Sequence, residues 1–326
     1  MTKLQRRSFL QLAAGTVAAP ALSRAARADT YPSRPIHLLV GFPPGGAADI
    51  IARLTGAMLS ERLGQPFVVE NRGSAGQQIA AEAVVNAAPD GYTLLLLANP
   101  NVINGMLNKN LSFNFTRDLA PVGGVDLNPL ILEVNPSLPV HSVPELIAYA
   151  KAHPAQLNMA SGGVGSTPHL AGELFKMMTG INMLHVPYRG DAPAITDLLA
   201  GQDQVMFDLI LLSLPHIRSG ALRGLAVTSS KRLPTLPDLP PVADFVPGYE
   251  AFAWQGVAAP KDTPPDIVAR LNREINAALA DPKIATKLTD LGGVPMPMSP
   301  AEFGTLIANE VEKWGKVIKF ANIKTG

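Results

Sequence analysis

Two glycine-rich turns carry the clearest chemistry in this chain. Gly41-Phe42-Pro43-Pro44-Gly45-Gly46-Ala47-Ala48-Asp49 and Ser161-Gly162-Gly163-Val164-Gly165-Ser166-Thr167-Pro168 each stand between an apolar run and a helical pattern. Such a turn presents backbone N–H groups, unobstructed by bulky side chains, at the positive end of a helix, where they attract an anion. One turn alone is explained by the tight geometry of a strand-to-helix connection. Two turns facing each other from different lobes would hold both ends of a multiply charged acid. Bulky replacement of Gly46 or Gly165 is expected to obstruct those donors. Neither turn has the lysine of G-x-x-x-x-G-K-[ST], and neither fits G-x-G-x-x-G with an acid about 20 positions on, so the phosphate readings fail. Carboxylate is the better match for the anion. Asp49 reads as an acid matched to the dipole of the first helical turn.

Catalytic patterns are weaker. Ser74 and Ser161 both lack the first glycine of G-x-S-x-G. The six histidines show no H-E-x-x-H or other ligand spacing, and there is no cysteine, so neither a metal nor another cofactor is expected. His169 follows the second turn and reads as a histidine satisfied in the first turn of a helix. No residue is assigned a catalytic role.

The elements that must position these turns follow from periodicity. Short apolar runs alternate with helical patterns from Tyr31 onward, the signature of an α/β fold with mainly parallel sheets. Ile36 to Val40, Phe67 to Val69, Thr93 to Ala98 and Val205 to Phe207 read as buried strands. The first helix should start near Ala48, with Ile50, Ile51, Leu54, Ala57 and Met58 at helical spacing and Gly64 as its C-terminal cap. Ser142-Val143-Pro144-Glu145 and Ser299-Pro300-Ala301-Glu302 are capping boxes, and Thr263-Pro264-Pro265-Asp266 is a close relative. The last helix carries an apolar face from Phe303 to Ala321, including Trp314, that is ordinary core packing.

Two strands meeting at Asp126-Leu127-Asn128-Pro129, and a second strand resuming at Phe252, suggest two crossings between lobes. Residues 29–126 with 250–326 are expected to form one lobe and residues 127–249 the other, with the two crossovers as a hinge.

The N-terminus reads as an address. Residues 1–28 carry Lys3, Arg6, Arg7, Arg24 and Arg27 and no acid, an apolar stretch from Phe9 to Leu22, and a small–x–small site at Ala26-Arg27-Ala28. Arg6-Arg7-Ser8-Phe9-Leu10 resembles the twin-arginine export motif. Removing this leader leaves 22 basic against 26 acidic residues, which argues against nucleic acid as a partner. The absence of cysteine suits an oxidising compartment and excludes a lipid anchor at a lipobox cysteine. The expected mature protein is periplasmic, not membrane-anchored and monomeric.

At the glycine turns a family resemblance becomes plain. The chain resembles the Bug/TctC family, the periplasmic solute receptors of tripartite tricarboxylate transporters. The match runs from Tyr31-Pro32-Ser33-Arg34-Pro35-Ile36 to Trp314-Gly315-Lys316-Val317-Ile318. Between them stand Val69-Glu70-Asn71-Arg72, Pro89-Asp90-Gly91-Tyr92-Thr93-Leu94, His169-Leu170-Ala171-Gly172-Glu173-Leu174-Phe175 and His185-Val186-Pro187-Tyr188. The resemblance implies a two-lobed periplasmic binding protein of the type II, Venus-flytrap kind. Its cleft would hold a carboxylated ligand by loop amides and ordered waters rather than by an arginine clamp. Carried over by motif, the first turn contributes Phe42, Ala47, Ala48 and Asp49, and the second Ser161, Gly165, Ser166 and Thr167. Tyr188 and Asp208 match positions that line the cleft. Gly46 and Asn99 complete the candidate set, Asn99 standing where the family commonly has a small hydroxyl residue. Leu209-Ile210 and Asp126 also depart from the family pattern. The two apolar residues fit either a less polar carboxylate than citrate or simple core packing.

The expected function is therefore capture of a small carboxylate for a membrane permease. A sensory receptor that presents its closed form to a membrane kinase or chemoreceptor would use the same cleft. A hydrolase is the remaining reading.

Overall fold

The computed structural model of the protein describes residues 31–73, 78–108 and 110–324. The expected leader and Ser74 lie outside these residues. The chain begins with three parallel strands, each followed by a helix: β1 (Ile36–Val40), α1 (Ala47–Leu63), β2 (Phe67–Asn71), α2 (Gln78–Val85), β3 (Thr93–Ala98) and α3 (Asn99–Leu107). The helix α1 stops where the sequence says it should. Gly64 takes a left-handed φ of 69°, and its N–H caps Ser60 O.

The strand β4 (Leu119–Val134) departs from expectation, because it is one continuous 16-residue strand and not two. Its first part pairs antiparallel with β9 (Phe252–Pro260), from Leu119↔Pro260 to Pro129↔Phe252. Its second part pairs with β7 (Val205–Leu209) and β8 (Arg223–Val227). Register shifts at Pro121/Gly123 and Gly124/Asp126 let it bend and twist without breaking. Pro129, which has no N–H to give a ladder, sits at the last pair with β9, where the strand changes sheet.

Beyond β4 the chain builds a second layered unit: α4 (Val143–Ala152), β5 (Asn158–Ser161), α5 (Thr167–Thr179), β6 (Leu184–Pro187), α6 (Asp191–Leu199), β7, α7 (Ile210–Ser219) and β8. It then returns through β9, α8 (Pro265–Leu279), α9 (Pro282–Asp290), β10 (Val294–Pro295) and α10 (Pro300–Phe320). The strand order is β2-β1-β3-β9-β4-β7-β5-β6, with β8 and β10 also pairing β4.

The helix starts show which caps work. Ser142 Oγ accepts from Glu145 N, and at Ser299 both halves of the capping box form. Thr263 does not cap α8. Its hydroxyl donates instead to Pro260 O at 2.7 Å, and Pro264 occupies the N-cap position. The last helix joins the two cores, since Phe303 and Ile307 pack with β3 and β9 residues while Trp314 and Val317 pack with β5, β7 and α5. Between them the buried Glu310 accepts from both indoles, Trp314 Nε1 at 2.7 Å and Trp254 Nε1 at 3.3 Å, and pairs with Lys313.

Candidate ligand-binding site

Five helices point their N-termini at one cavity of about 620 Å³. Its wall includes the N-cap residues of α1 (Gly46), α3 (Ala98), α5 (Ser166) and α7 (Leu209), and also Asp191, the first residue of α6. Each helix end carries roughly half a positive charge on unpaired N–H groups. No lysine, arginine or histidine is among the described residues of the wall, and Asp191 is its one charged side chain. Positive potential here comes from the backbone. Apolar surface supplies much of the rest, from Phe42, Pro43, Pro44, Pro100, Leu209 and Trp254. The volume is that of a small-molecule site, typically about 300–1,000 Å³.

The first loop is held from below. Gly45 has a φ of +85°, and its N–H donates to Asp49 Oδ2 at 2.9 Å. Arg53 and Asn71 also donate to the Asp49 carboxylate. Hydrogen bonds from Arg53 first, and then from Gly45 and Asn71, hold this carboxyl down at about 2, so it stays ionised. Phe42, Gly46, Ala47 and Ala48 face the cavity, while Asp49 does not line it. Asp49 fixes the loop rather than touching the space above it.

The second loop is set by two histidines. Gly163 and Gly165 have φ of +132° and +80°, which only glycine takes without strain. Gly165 N donates to His169 Nδ1 at 3.0 Å, and Ser166 Oγ accepts from His169 N. His169 stacks on His185 with ring centroids 3.7 Å apart. Ser161 Oγ and His185 Nε2 share a hydrogen bond of 2.7 Å, and Ser161 Oγ also accepts from Gly163 N at 3.2 Å. Burial lowers His169 to about 3 and His185 to about 4, so both rings are neutral at ordinary pH. Gly165, Ser166 and Thr167 line the cavity, but Ser161 is fully buried beneath it. The start of α3 is tied to the second loop and to β9, because Asn99 Nδ2 donates to Thr167 Oγ1 at 3.1 Å and to Phe252 O at 3.2 Å.

Beside Asp49 and Ser161, two more expected cleft residues, Tyr188 and Asp208, lie off the wall. Tyr188 packs with Ala160, Ala194 and Leu198. Its hydroxyl sits 2.6 Å from Asp203 Oδ2 and 2.8 Å from Asp197 Oδ2, which satisfies it inside the fold. Asp208 is fully buried, and burial pushes its carboxyl well above the usual carboxylate range. Successive strand residues face opposite sides, so Leu209 takes the wall and Asp208 turns into the core. Asp126 is likewise off the wall, buried against Asn128 and Gly293, and burial raises it to about 7.

Asp191, Gln255 and Asn104 are wall residues that the motifs did not single out. Asp191 had a signal: it follows Gly190 after β6 and opens a helix, the same strand–glycine–helix arrangement as the two loops. Gln255 is the polar residue within the apolar run of β9.

Behind the wall stands a buried acid pair. Ser213 Oγ donates to Glu133 Oε1 at 2.9 Å and lies 3.4 Å from Asp208 Oδ2. Burial raises Glu133 to about 8. Its folded pKa lies above the unfolded one, so stability is fullest below pH ~4.5 and falls as pH rises toward 8. His169 and His185, lowered in the fold, act only below about pH 6.5, where stability falls as pH falls. Between pH 6.5 and 8 the slope therefore belongs to the buried acids, up to about 1.4 kcal/mol per pH unit for one proton. Glu133→Gln should make it shallower by up to that one-proton share, with Asp126 and Asp208 keeping theirs, as read by urea unfolding at pH 6.5 and 8. An unchanged slope would mean that Glu133 is ionised in the fold.

A split α/β sheet whose halves share β4, with a cavity ringed by helix N-termini at their junction, defines a two-lobed periplasmic binding protein. Solved structures share the fold. The R. palustris protein Rpa4515 with adipate is 39% identical with a TM-score of 0.76, covering 90% of this chain and 99% of that one. MatC (Rpa3494) from Rhodopseudomonas palustris, with bound malate, is 32% identical with a TM-score of 0.72, covering 88% and 100%. Protein BugT of Bordetella pertussis is 38% identical over 327 residues, 99% of each chain. The model of the tripartite tricarboxylate transporter family receptor, TctC, matches residues 51–323, and this chain belongs to that family.

Proposed function

We propose that this protein is an extracytoplasmic receptor that captures a small carboxylated organic anion and passes it, chemically unchanged, to a tripartite tricarboxylate-type permease. The observation that carries this reading is a cavity supplied with five helix N-termini and, among the described residues, no cationic side chain. Fixed backbone donors suit a carboxylate and need no counter-cation. Adipate and malate in the related structures agree with it. Residues 29–126 with 250–326 form one lobe and 127–249 the other, and closure over the ligand shifts the population toward the form the permease meets. Phe42, Gly46, Ala47, Ala48, Asn99, Gly165, Ser166 and Thr167 are the ligand-facing residues. Residues 1–28 are the export leader, removed after Ala28.

A serine hydroxyl on a histidine nitrogen also begins acyl transfer. Burial of Ser161 beneath Gly163, away from the wall, favours a structural role for the pair.

The test is calorimetry and thermal unfolding of ligand-stripped protein against mono-, di- and tricarboxylates. A bound acid should give saturable 1:1 heat, raise stability by about 2.7 kcal/mol at a hundredfold excess over Kd, and be recovered intact. Silence across the panel, or steady product formation, would sink the reading.

A further inference from the structure

Asp191 is an odd residue for the wall of an anion site, where it is the one charged side chain among the described residues. A carboxylate there repels an incoming anion, so its presence needs a reason. Its place as the first residue of α6 supplies part of one, since an acid suits a helix start. The rest lies in the second glycine loop. Gly162 N–H donates to the Asp191 carboxylate, and Gly162 O accepts from Gly190 N at 3.1 Å. The approach is close: a Cβ at Gly162 would stand 2.1 Å from Asp191 Oδ1 and 3.1 Å from Asp191 N. Gly162 lacks a side chain where the carboxylate takes up the space.

The first loop is built in the same way. There Gly45 N donates to Asp49 Oδ2 at 2.9 Å, so each loop spends a glycine N–H on an aspartate at a helix start. The two aspartates differ in their surroundings. Arg53 and Asn71 donate to Asp49, which lies off the wall with its charge balanced. Asp191 has no cationic partner among the described residues. Arg189, two residues earlier, is exposed, and the group that faces Asp191 from behind the wall is another acid, Asp208. Burial raises the Asp191 carboxyl, and only the Gly162 N–H draws it back.

We infer that Asp191 positions the second loop as Asp49 positions the first, and that its unbalanced charge limits how much negative charge the cavity accepts. Asp191 is a positioning residue: it acts on the ligand through Gly162 and through its field, not by contact. The inference rests on the carboxylate-receptor reading and adds to it a ceiling on ligand charge.

The experiment is calorimetry at pH 8 on the ligand-stripped full chain, with acids that differ by one charge at equal chain length: hexanoate and adipate, then glutarate and tricarballylate. Asp191→Asn keeps an oxygen for Gly162 N–H and removes the charge. It should tighten binding by about threefold for each unit of ligand charge, hence about threefold for hexanoate and about tenfold for adipate. Asp191→Ala removes charge and oxygen together. It should bind adipate about tenfold more weakly than Asp191→Asn does, the difference being the lost tie to Gly162. If Asp191→Ala does not fold, Gly162→Ala takes its place. The added methyl displaces the carboxylate, and adipate should bind about tenfold more weakly than to the parent protein. An Asp191→Asn gain that is absent, or that does not grow with ligand charge, would overturn the inference. Asp191→Ala binding as tightly as Asp191→Asn would do the same, as would Gly162→Ala, used in its place, within about threefold of the parent. Failure of every acid to bind the parent and the variants would instead strike the carboxylate reading.

Discussion

Gly165→Val should weaken ligand binding by about 100-fold or more, while Gly46→Ala should leave it within about threefold. The two glycines look equivalent as letters in two similar turns, but their backbones differ. Gly165 has φ +80°, and a Cβ there would stand 3.2 Å from Leu107 Cδ1. A left-handed backbone costs an ordinary residue about 1–2 kcal/mol, more for a β-branched one. The strain falls on the N–H that His169 holds, and so on the loop as a whole. Gly46 has φ −83°, an ordinary value, and the nearest atom to an added Cβ is Pro43 O at 3.8 Å. Alanine fits. Gly165→Asn should recover part of the loss, because asparagine tolerates the left-handed region. Calorimetry of the three variants decides the matter: equal losses at both glycines would mean that bulk above the donors, and not loop conformation, controls binding.

Glu310→Ala should destabilise the protein by about 3–5 kcal/mol. Glu310 is 3% exposed, and it satisfies Trp254, Trp314 and Lys313 at once. Its loss strands two indole N–H groups and leaves Lys313 to the carbonyl of Glu250 and the faces of Phe252 and Trp314. Glu310→Gln keeps an acceptor for the indoles and should fall between. Chemical unfolding followed by circular dichroism measures both. A Glu310→Ala variant within about 0.5 kcal/mol of the parent would show that the network adds nothing beyond packing.

The local parts of this site were legible. Apolar runs placed β1, β3 and β7, the glycine turns marked the starts of α1 and α5, and serine caps opened α4 and α10, because those signals are short-range and backbone-driven. Asp49 was half legible: its reading as an acid of the first helical turn agrees with the structure, but its motif also assigned it to the ligand, and it lies off the wall holding the loop. What failed was tertiary. The residues of β4 look like two strands because Asp126 and Pro129 interrupt the apolar pattern. Pairing with β9 on one side and β7 on the other makes them one. Tyr188 was assigned to the cleft by its motif, but Asp197 and Asp203, further along the chain, claim its hydroxyl. The choice between Asp208 and Leu209 turned on strand register, where a one-residue difference exchanges wall and core. Glu310 could have been found: Phe303, Ile307, Glu310, Trp314 and Val317 fall at steps of three and four, so the acid had to share the buried face.

The pairing at Glu310 also makes the molecule its own optical probe. The chain has two tryptophans, and both indoles donate to this one carboxylate. Trp254 belongs to the cavity wall, while Trp314 sits in the other core. All of the tryptophan emission therefore arises from a single buried cluster, one end of which borders the cavity. Occupancy of the cavity can be read as a change in ultraviolet fluorescence without any attached dye. Trp254→Phe would leave Trp314 as a lone reporter of how the last helix responds.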